Sequence, residues 1–291
     1  MTKDNLLVRQ ALPLAQKIIL SSQRIRAFSS HFSHQTYVSF SGGKDSLVLL
    51  DLVRSLYPST PAVYFDTGLE WPELREFVFT VPNLVVIKPR KTFKQVIETN
   101  GYPVVSKEIA QKIYEIRNSN SQKLIDKRPK GDNNGNGKLS DKWHFLLKAP
   151  FDISHRCCYV MKKAPAASYE RITGNRPFVG LRADESSLRM TSYLKTGCNA
   201  FSGKRPMSLP IAFWTDEDIW AYIKQKNLSY PSIYDRGYRQ TGCMFCMFGV
   251  FAEGSPNRFQ KMAQTHPKQH SYCMKQLGIQ EVMDYLGLPT V

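Results

Sequence analysis

Long apolar runs are missing from this sequence. No stretch approaches 18 consecutive apolar residues, so no membrane-spanning helix is expected. The first twenty residues, MTKDNLLVRQALPLAQKIIL, scatter charges throughout and lack the unbroken apolar centre of a secretory signal. Both features point to a cytoplasmic protein, whose thiols stay reduced. The six cysteines then need an explanation other than disulfides. The six histidines are scattered without ligand spacing; His266 and His270, at i and i+4, read as a helix face. Internal repeats are absent. Acidic residues are scarce, at 24 Asp and Glu against 40 Lys and Arg, and the net charge of +16 favours polyanionic partners such as nucleic acid or anionic nucleotides.

With 291 residues, 42% of them hydrophobic and 22% charged, the chain has the means for a packed core. The pattern predicts an N-terminal amphipathic helix over 4–28, then strands at Thr36–Phe40, Ala62–Phe65 and Leu84–Ile87 alternating with helices at Leu47–Leu56 and Glu70–Phe79. Alternation of this kind implies a doubly wound α/β fold with a mostly parallel sheet, whose ligands sit at the carboxyl ends of the strands. Further expected elements are a helix at Lys107–Arg117, a strand at Phe178–Leu181, a helix at Thr215–Lys226 with Thr215 as N-cap and Asp218 closing a capping box, and a last helix near Ile279–Leu286. Residues 118–142 are polar, basic and rich in Gly and Asn, which predicts a mobile surface loop. The expected organisation is an N-terminal helical segment 1–30, a nucleotide-binding domain 31–235 and a cysteine-bearing segment 236–291.

Residues 37–50, YVSFSGGKDSLVLL, join an apolar strand to an apolar helix through Ser-Gly-Gly-Lys-Asp-Ser. The nucleotide-binding P-loop, GxxxxGK followed by Ser or Thr, does not fit: position 38 is Val, and Lys44 is followed by Asp45. The ingredients of a phosphate cradle nevertheless remain. Backbone N–H groups of a glycine turn and a helix N-terminus attract an anion. Ser39, Ser41 and Ser46 add hydroxyls, and Lys44 adds a point charge.

Cys157 and Cys158 stand adjacent in HRCCYVMKKAP; after 84 intervening residues, Cys243 and Cys246 stand in TGCMFCMFG. Adjacent cysteines rarely bond each other, because the ring is strained. Four thiolates from two segments could hold zinc or an iron–sulfur cluster, and the apolar, aromatic setting suits the cluster better. Cys198, in the Gly-flanked YLKTGCNAF after two arginines, is a candidate catalytic or persulfide-carrying thiolate, with an ordinary buried thiol as the alternative. Cys273 reads as structural.

SGGKDS after a strand, YFDTGLEWPE at 64–73 and GLRADESSLR at 180–189 together resemble the phosphoadenosine phosphosulfate (PAPS) reductase family of PP-loop ATP pyrophosphatases. The resemblance runs from about Tyr37 to Phe248. It implies a bound adenine nucleotide, ATP or the sulfonucleotides APS and PAPS, with its phosphates on Ser41, Gly42, Gly43, Lys44, Asp45 and Ser46. Lys44 and Asp45 would act in the chemistry. Asp66 and Thr67 would flank the adenosine. Gly180, Arg182, Glu185 and Arg189 would form the anion-binding segment, where an arginine fork holds two oxygens at once. Magnesium would bridge the phosphates of ATP. The arrangement CCxxxKxxP, with Lys162 and Pro165, followed by CxxC, resembles the cluster-containing members, and implies a 4Fe-4S cluster on Cys157, Cys158, Cys243 and Cys246.

The family's reductases carry a nucleophilic cysteine in a Glu-Cys-Gly-(Ile/Leu)-His segment near the end; here Cys273 is followed by Met274, and the residues after it contain no such segment. The favoured expectation is therefore an ATP pyrophosphatase that adenylates a nucleic-acid substrate and transfers sulfur to it, with a cysteine desulfurase as partner. The alternatives are an APS or PAPS reductase producing sulfite with thioredoxin, and a non-catalytic redox sensor that binds nucleotide and nucleic acid.

Overall fold

The structure is a computed structural model that describes residues 2–132 and 137–291. Among the described residues the chain runs α1 (Lys3–Gln10), α2 (Leu14–His31), β1 (Thr36–Ser39), α3 (Lys44–Arg54), β2 (Ala62–Phe65), α4 (Pro72–Val78), β3 (Leu84–Ile87) and α5 (Phe93–Asn100). It continues through β4 (Val104–Val105), α6 (Lys107–Asn118), α7 (Gln122–Lys130), α8 (Ala164–Thr173), β5 (Arg176–Val179), α9 (Ser187–Thr196), β6 (Asn199–Ala200) and β7 (Met207–Ser208). The last elements are α10 (Asp216–Lys226), β8 (Met247–Phe248), α11 (Arg258–Thr265), α12 (Pro267–Ser271) and α13 (Ile279–Tyr285). No described helix is long and apolar enough to cross a membrane.

The chain forms two compact units, both discontinuous in sequence, rather than three consecutive segments. The first comprises residues 1–66, 70–88 and 165–241. Its sheet has the order β3-β2-β1-β5-β7-β6. All neighbours pair in parallel except β6 and β7, so the fold is the expected doubly wound, mostly parallel α/β sheet. β1 is flanked by β2 on one side and β5 on the other, which makes the β1/β5 junction the point where the winding reverses. Val38, Val63 and Phe178 lie across the sheet centre with no exposed surface.

The N-terminal region is two helices rather than one. Pro13 takes the N-cap of α2, where its missing N–H and fixed φ suit a helix start and break the run from α1. Lys17 of α2 is buried at 2% exposure and donates to Asp218 at 2.5 Å. Asp218 also closes the capping box with Thr215 that the sequence predicts at the start of α10. One half-buried carboxylate thus joins two helices and fixes where α10 begins.

Beneath the sheet, Glu170 of α8 is buried and accepts from the Tyr37 hydroxyl at 2.7 Å and from Arg205 Nε and Nη2 at 2.9 and 2.6 Å. Burial and Glu170 push the Tyr37 phenol far up, so it stays a donor. Arg205→Ala leaves this carboxylate buried with one neutral partner and is expected to cost about 3 kcal/mol, the low end for breaking a buried pair because Arg205 is partly exposed. Urea unfolding checks this, and Glu170→Gln combined with Arg205→Ala should recover part of the loss.

The second unit comprises residues 67–69, 89–164 and 242–291. Its two-stranded parallel sheet pairs β4 with β8, and a further parallel bridge joins Tyr102 to Ile153. Residues 122–130, expected within a mobile loop, form α7; residues 133–136 of that expected loop lie outside the described residues. No residue of α7 is buried; Leu124 and Ile125 are half-buried among charged neighbours, and Pro129 inside the helix reads in the sequence as a break. It is held instead by long-range polar contacts: Arg128 Nε donates to Glu115 of α6 at 2.6 Å, and the Arg128 carbonyl accepts from Leu139 N at 2.6 Å.

Candidate functional site

β1 ends at Ser39, and the chain turns through Ser41, Gly42 and Gly43 into α3. Gly42 has φ +79°, and a Cβ there would lie 2.5 Å from Val78 Cγ2 and 2.8 Å from Leu74 Cδ2. The turn therefore needs glycine on both conformational and steric grounds. Inside the turn, Ser46 Oγ donates to the Gly43 carbonyl at 2.8 Å and accepts from Ser41 N at 3.2 Å. Gly43 N donates to Ser41 Oγ at 3.4 Å. The serines thus hold the loop in shape. Ser39 stays within β1, paired to Val63 and Val179 on its two sides.

β5 ends beside this turn, and Gly180 follows it. A Cβ on Gly180 would lie 3.0 Å from the Asp45 carbonyl and from Ser46 N, so glycine lets the two strand ends approach. Arg182 then enters the turn of β1. Its Nε faces Asp45 Oδ1 at 2.5 Å, its Nη1 faces Asp184 Oδ2 at 2.7 Å, and its Nη2 faces Asp216 Oδ1 at 2.8 Å. Lys44 Nζ reaches the same Asp216 oxygen at 2.7 Å and Asp45 Oδ2 at 3.2 Å. Lys44 and Arg182 are 3% and 4% exposed. Two buried cations from the ends of adjacent parallel strands therefore share three carboxylates.

The carboxylates respond differently. Burial pushes the Asp184 carboxyl up, against Arg182 but with Asp45 and Asp216, and the net direction is upward. Burial also acts upward on Asp216, yet Lys44 and Arg182 overcome it and hold that carboxyl below its ordinary range. Glu185 accepts from Arg182 N at 3.1 Å and pairs closely with Arg189, so the 180–189 segment is internally braced. Asp66, just after β2, is buried and pairs with Arg75 Nη2 at 3.1 Å rather than joining this cluster. Thr67 Oγ1 accepts from Leu69 N at 3.2 Å.

Three contributors escape sequence reasoning. Asp216, the first residue of α10, supplies the oxygen shared by both cations. The Tyr234 hydroxyl accepts from Lys44 N, the open N-terminus of α3, at 2.9 Å, and lies 3.2 Å from Thr241 Oγ1. A Cβ at Gly43 would meet those two hydroxyls at 3.3 and 2.9 Å. TDEDIW reads only as a helix start, and nothing local marks Tyr234 or Thr241; the signal is a tertiary contact across 190 positions.

The second unit holds the four cysteines of the two motifs. Cys157 is 8% exposed. Burial pushes its thiol far up, Cys158, Cys243 and Cys246 push it further, and Lys162 opposes them. Cys246 is pushed up to about 11, by burial first and then by Cys243, against Arg258. The two cysteines of the later motif form a turn, with Cys246 N donating to the Cys243 carbonyl at 3.1 Å. Arg258 Nη1 donates to the Cys246 carbonyl at 2.9 Å and steadies that turn. Among the described residues no three His, Cys, Asp or Glu side chains converge at metal-ligand geometry. The chemistry of the donor set still suits a thiophilic centre: Cys157 and Cys246 sense the charge of the neighbouring cysteines at buried positions, and deprotonation on a metal would relieve the raised pKa of those two thiols.

Cys198 does not have the thiolate setting that its basic loop predicts. It is 5% exposed, and burial pushes its thiol up although Arg24, Arg9 and a Tyr193 hydrogen bond act the other way. Arg9 Nη1 is committed to the Tyr193 hydroxyl at 2.9 Å. Cys273 is fully buried, with its thiol likewise pushed up. His266 caps the end of α11, and His270 Nε2 contacts the Thr290 carbonyl, so this pair does serve the fold.

A family model described as the phosphoadenosine phosphosulfate reductase domain matches residues 35–119 and 106–248. The chain is 24% identical over 249 residues to adenosine 5′-phosphosulfate reductase 1 of Bacillus subtilis (strain 168), covering 82% of this chain and 86% of that relative. It is 27% identical over 214 residues to the adenosine 5′-phosphosulfate reductase of Staphylococcus haemolyticus (strain JCSC1435), covering 73% and 70%. Among solved structures it is similar to a phosphoadenylyl-sulfate (PAPS) reductase from Candida auris in a phosphate complex, with 16% identity and a TM-score of 0.47 over 84% of this chain and 96% of that one.

Proposed function

The chain belongs to the phosphoadenosine phosphosulfate reductase family, and on that premise we propose that it binds adenosine 5′-phosphosulfate or its 3′-phosphorylated form and reduces the sulfuryl group to sulfite. The observation that carries this reading is the pair of buried cations, Lys44 and Arg182, at the ends of β1 and β5. Cations at that depth beside a helix N-terminus suit the anionic half of such a nucleotide. The relatives' names favour reduction over the adenylating sulfur transfer that the sequence alone suggests.

In this reading Lys44 Nζ and the Arg182 guanidinium hold the phosphosulfate oxygens beside the N-terminus of α3. They stabilise the charge that grows on AMP as the leaving group. A dithiol reductant of the thioredoxin class supplies the electrons. One thiolate attacks sulfur, the S–O bond to AMP breaks, and AMP leaves with the electron pair. The second thiol then displaces sulfite, leaving the reductant as a disulfide. Cys157, Cys158, Cys243 and Cys246 would hold a 4Fe-4S cluster, which when bound supplies a redox-active centre with charge spread over four thiolates.

A second reading rests on one observation. Cys198 and Cys273, the two cysteines outside the motifs, are both buried, and their thiols are pushed up. Neither is disposed as an attacking thiolate, which suits an ATP- and magnesium-dependent adenylation of a nucleic acid, with sulfur delivered by a desulfurase. One assay separates the two readings. Anaerobically purified protein with adenosine 5′-phosphosulfate and thioredoxin is expected to release sulfite; pyrophosphate from ATP, magnesium and bulk nucleic acid, without sulfite, overturns the reductase reading. Iron and sulfide analysis of the same preparation is expected to show a cluster that Cys243→Ser loses, while Cys198→Ser keeps both cluster and turnover.

A further inference from the structure

The carboxylates of the cation cluster differ in what surrounds them. Asp45 and Asp184 are 20% and 27% exposed on their side chains and stand one and two residues after the cations Lys44 and Arg182. Asp216 is 46% exposed and arrives on another element, as the first residue of α10. A single oxygen, Oδ1, takes both Lys44 Nζ and Arg182 Nη2, at 2.7 and 2.8 Å. One oxygen bridging two cations is the arrangement that a phosphate or sulfate oxygen adopts between a lysine and an arginine.

We propose that Asp216 is a specificity-determining resident anion: its carboxylate occupies the oxygen position between Lys44 and Arg182, and a ligand must displace it. The proposal rests on the reading that the substrate's anionic group binds those two cations. Asp216 can yield its place at low cost. It lies at the solvent side of the cluster, and in the first turn of α10 the helix N-terminus still favours its charge after it swings outward. Asp45 and Asp184 would remain on Arg182, so the cations stay neutralised in either state.

The consequence is selectivity. Inorganic sulfate or phosphate gains only what Asp216 gives up, because it exchanges one anionic oxygen for another. An adenylyl anion brings nucleoside contacts in addition and so completes the exchange. Asp216 thereby keeps free sulfate and phosphate from filling a site built for a sulfonucleotide.

The test titrates wild type, Asp216→Asn, Asp216→Ser and Asp216→Glu calorimetrically with inorganic sulfate, AMP and adenosine, with thermal unfolding of each unliganded protein as the check on folding. Asp216→Asn and Asp216→Ser are expected to bind sulfate at least about tenfold more tightly than wild type, as expected when two charge-assisted hydrogen bonds are freed for the ligand. Their affinity for adenosine, which carries no anion, should not change, and Asp216→Glu should restore exclusion of sulfate. If both neutral variants fold and their sulfate affinity is unchanged or weaker while wild type binds AMP, Asp216 only positions the cations and the inference is overturned. If wild type binds no AMP and no variant binds sulfate, the anion site itself is overturned, and this inference with it.

Discussion

Arg182→Leu is expected to lower affinity for adenosine 5′-phosphosulfate by at least about a hundredfold and to destabilise the first unit by about 3–5 kcal/mol. The substitution removes the partner of Asp45, Asp184 and Asp216 together and leaves Lys44 as the remaining cation among them. Arg182→Lys should not rescue it, because a point charge cannot face three carboxylates from a planar fork. The pH dependence gives the signature. Burial already pushes Asp184 up, and Arg182 is the group that opposes the rise most strongly. Without Arg182 the folded-state pKa rises further above the unfolded value. A carboxyl raised in the folded state costs stability when ionised, and that cost fades as pH falls through the folded pKa toward the unfolded one. The stability gap between Arg182→Leu and wild type should therefore be largest at neutral pH and shrink on acidification. Urea titrations at pH 7 and pH 4.5 check this; a gap that widens in acid would refute the charge argument.

Gly101→Ala is expected to have the largest purely structural effect, more than about 3 kcal/mol, because it combines forbidden backbone with an immovable clash. Gly101 ends α5 with φ +98° and ψ 170°, a region open to glycine and closed to other residues. A Cβ there would fall 2.4 Å from the Asp152 carbonyl carbon and 2.7 Å from Ile153 N, both main-chain atoms that no rotamer can move. The close approach exists because Tyr102 N donates to the Asp152 carbonyl at 2.7 Å and Ser154 N to the Tyr102 carbonyl at 3.0 Å. That ladder delivers the chain to Cys157 three residues later. Chemical unfolding and the thiol reactivity of Cys157 and Cys158 should therefore move together in the variant. Normal stability with unchanged labelling would mean the 151–154 segment can shift freely.

Much of the first unit is legible in the residues themselves. Ala62–Phe65 and Leu84–Ile87 are strands at the expected boundaries, since a short apolar run between turn residues has few other uses in a parallel sheet. Thr215 and Asp218 form the expected capping box, a signal contained in four consecutive residues. SGGKDS and the 180–189 segment are brought together because they end neighbouring strands. What escaped lacks local encoding. Asp216 and Tyr234 act through contacts with residues far earlier in the chain, and their own neighbourhoods read as an ordinary helix start and an aromatic turn. α7 hides for a different reason: its few apolar residues stand among charged ones, and Pro129 inside the helix reads as a break. Cys198 misleads because arginines nearby in space lower a thiol's pKa less than burial raises it.

The pairing of β1 with β5 also bears on how the protein is made. Between Ser39 and Arg176 the ribosome must add on the order of 140 residues, which at about 5–20 residues per second takes on the order of ten seconds. Throughout that interval β1 has β2 on one flank and an open row of amides and carbonyls on the other. The nascent chain is therefore most vulnerable to misassociation while the inserted residues 89–164 are being synthesised, and translation speed through that stretch sets how long the exposure lasts.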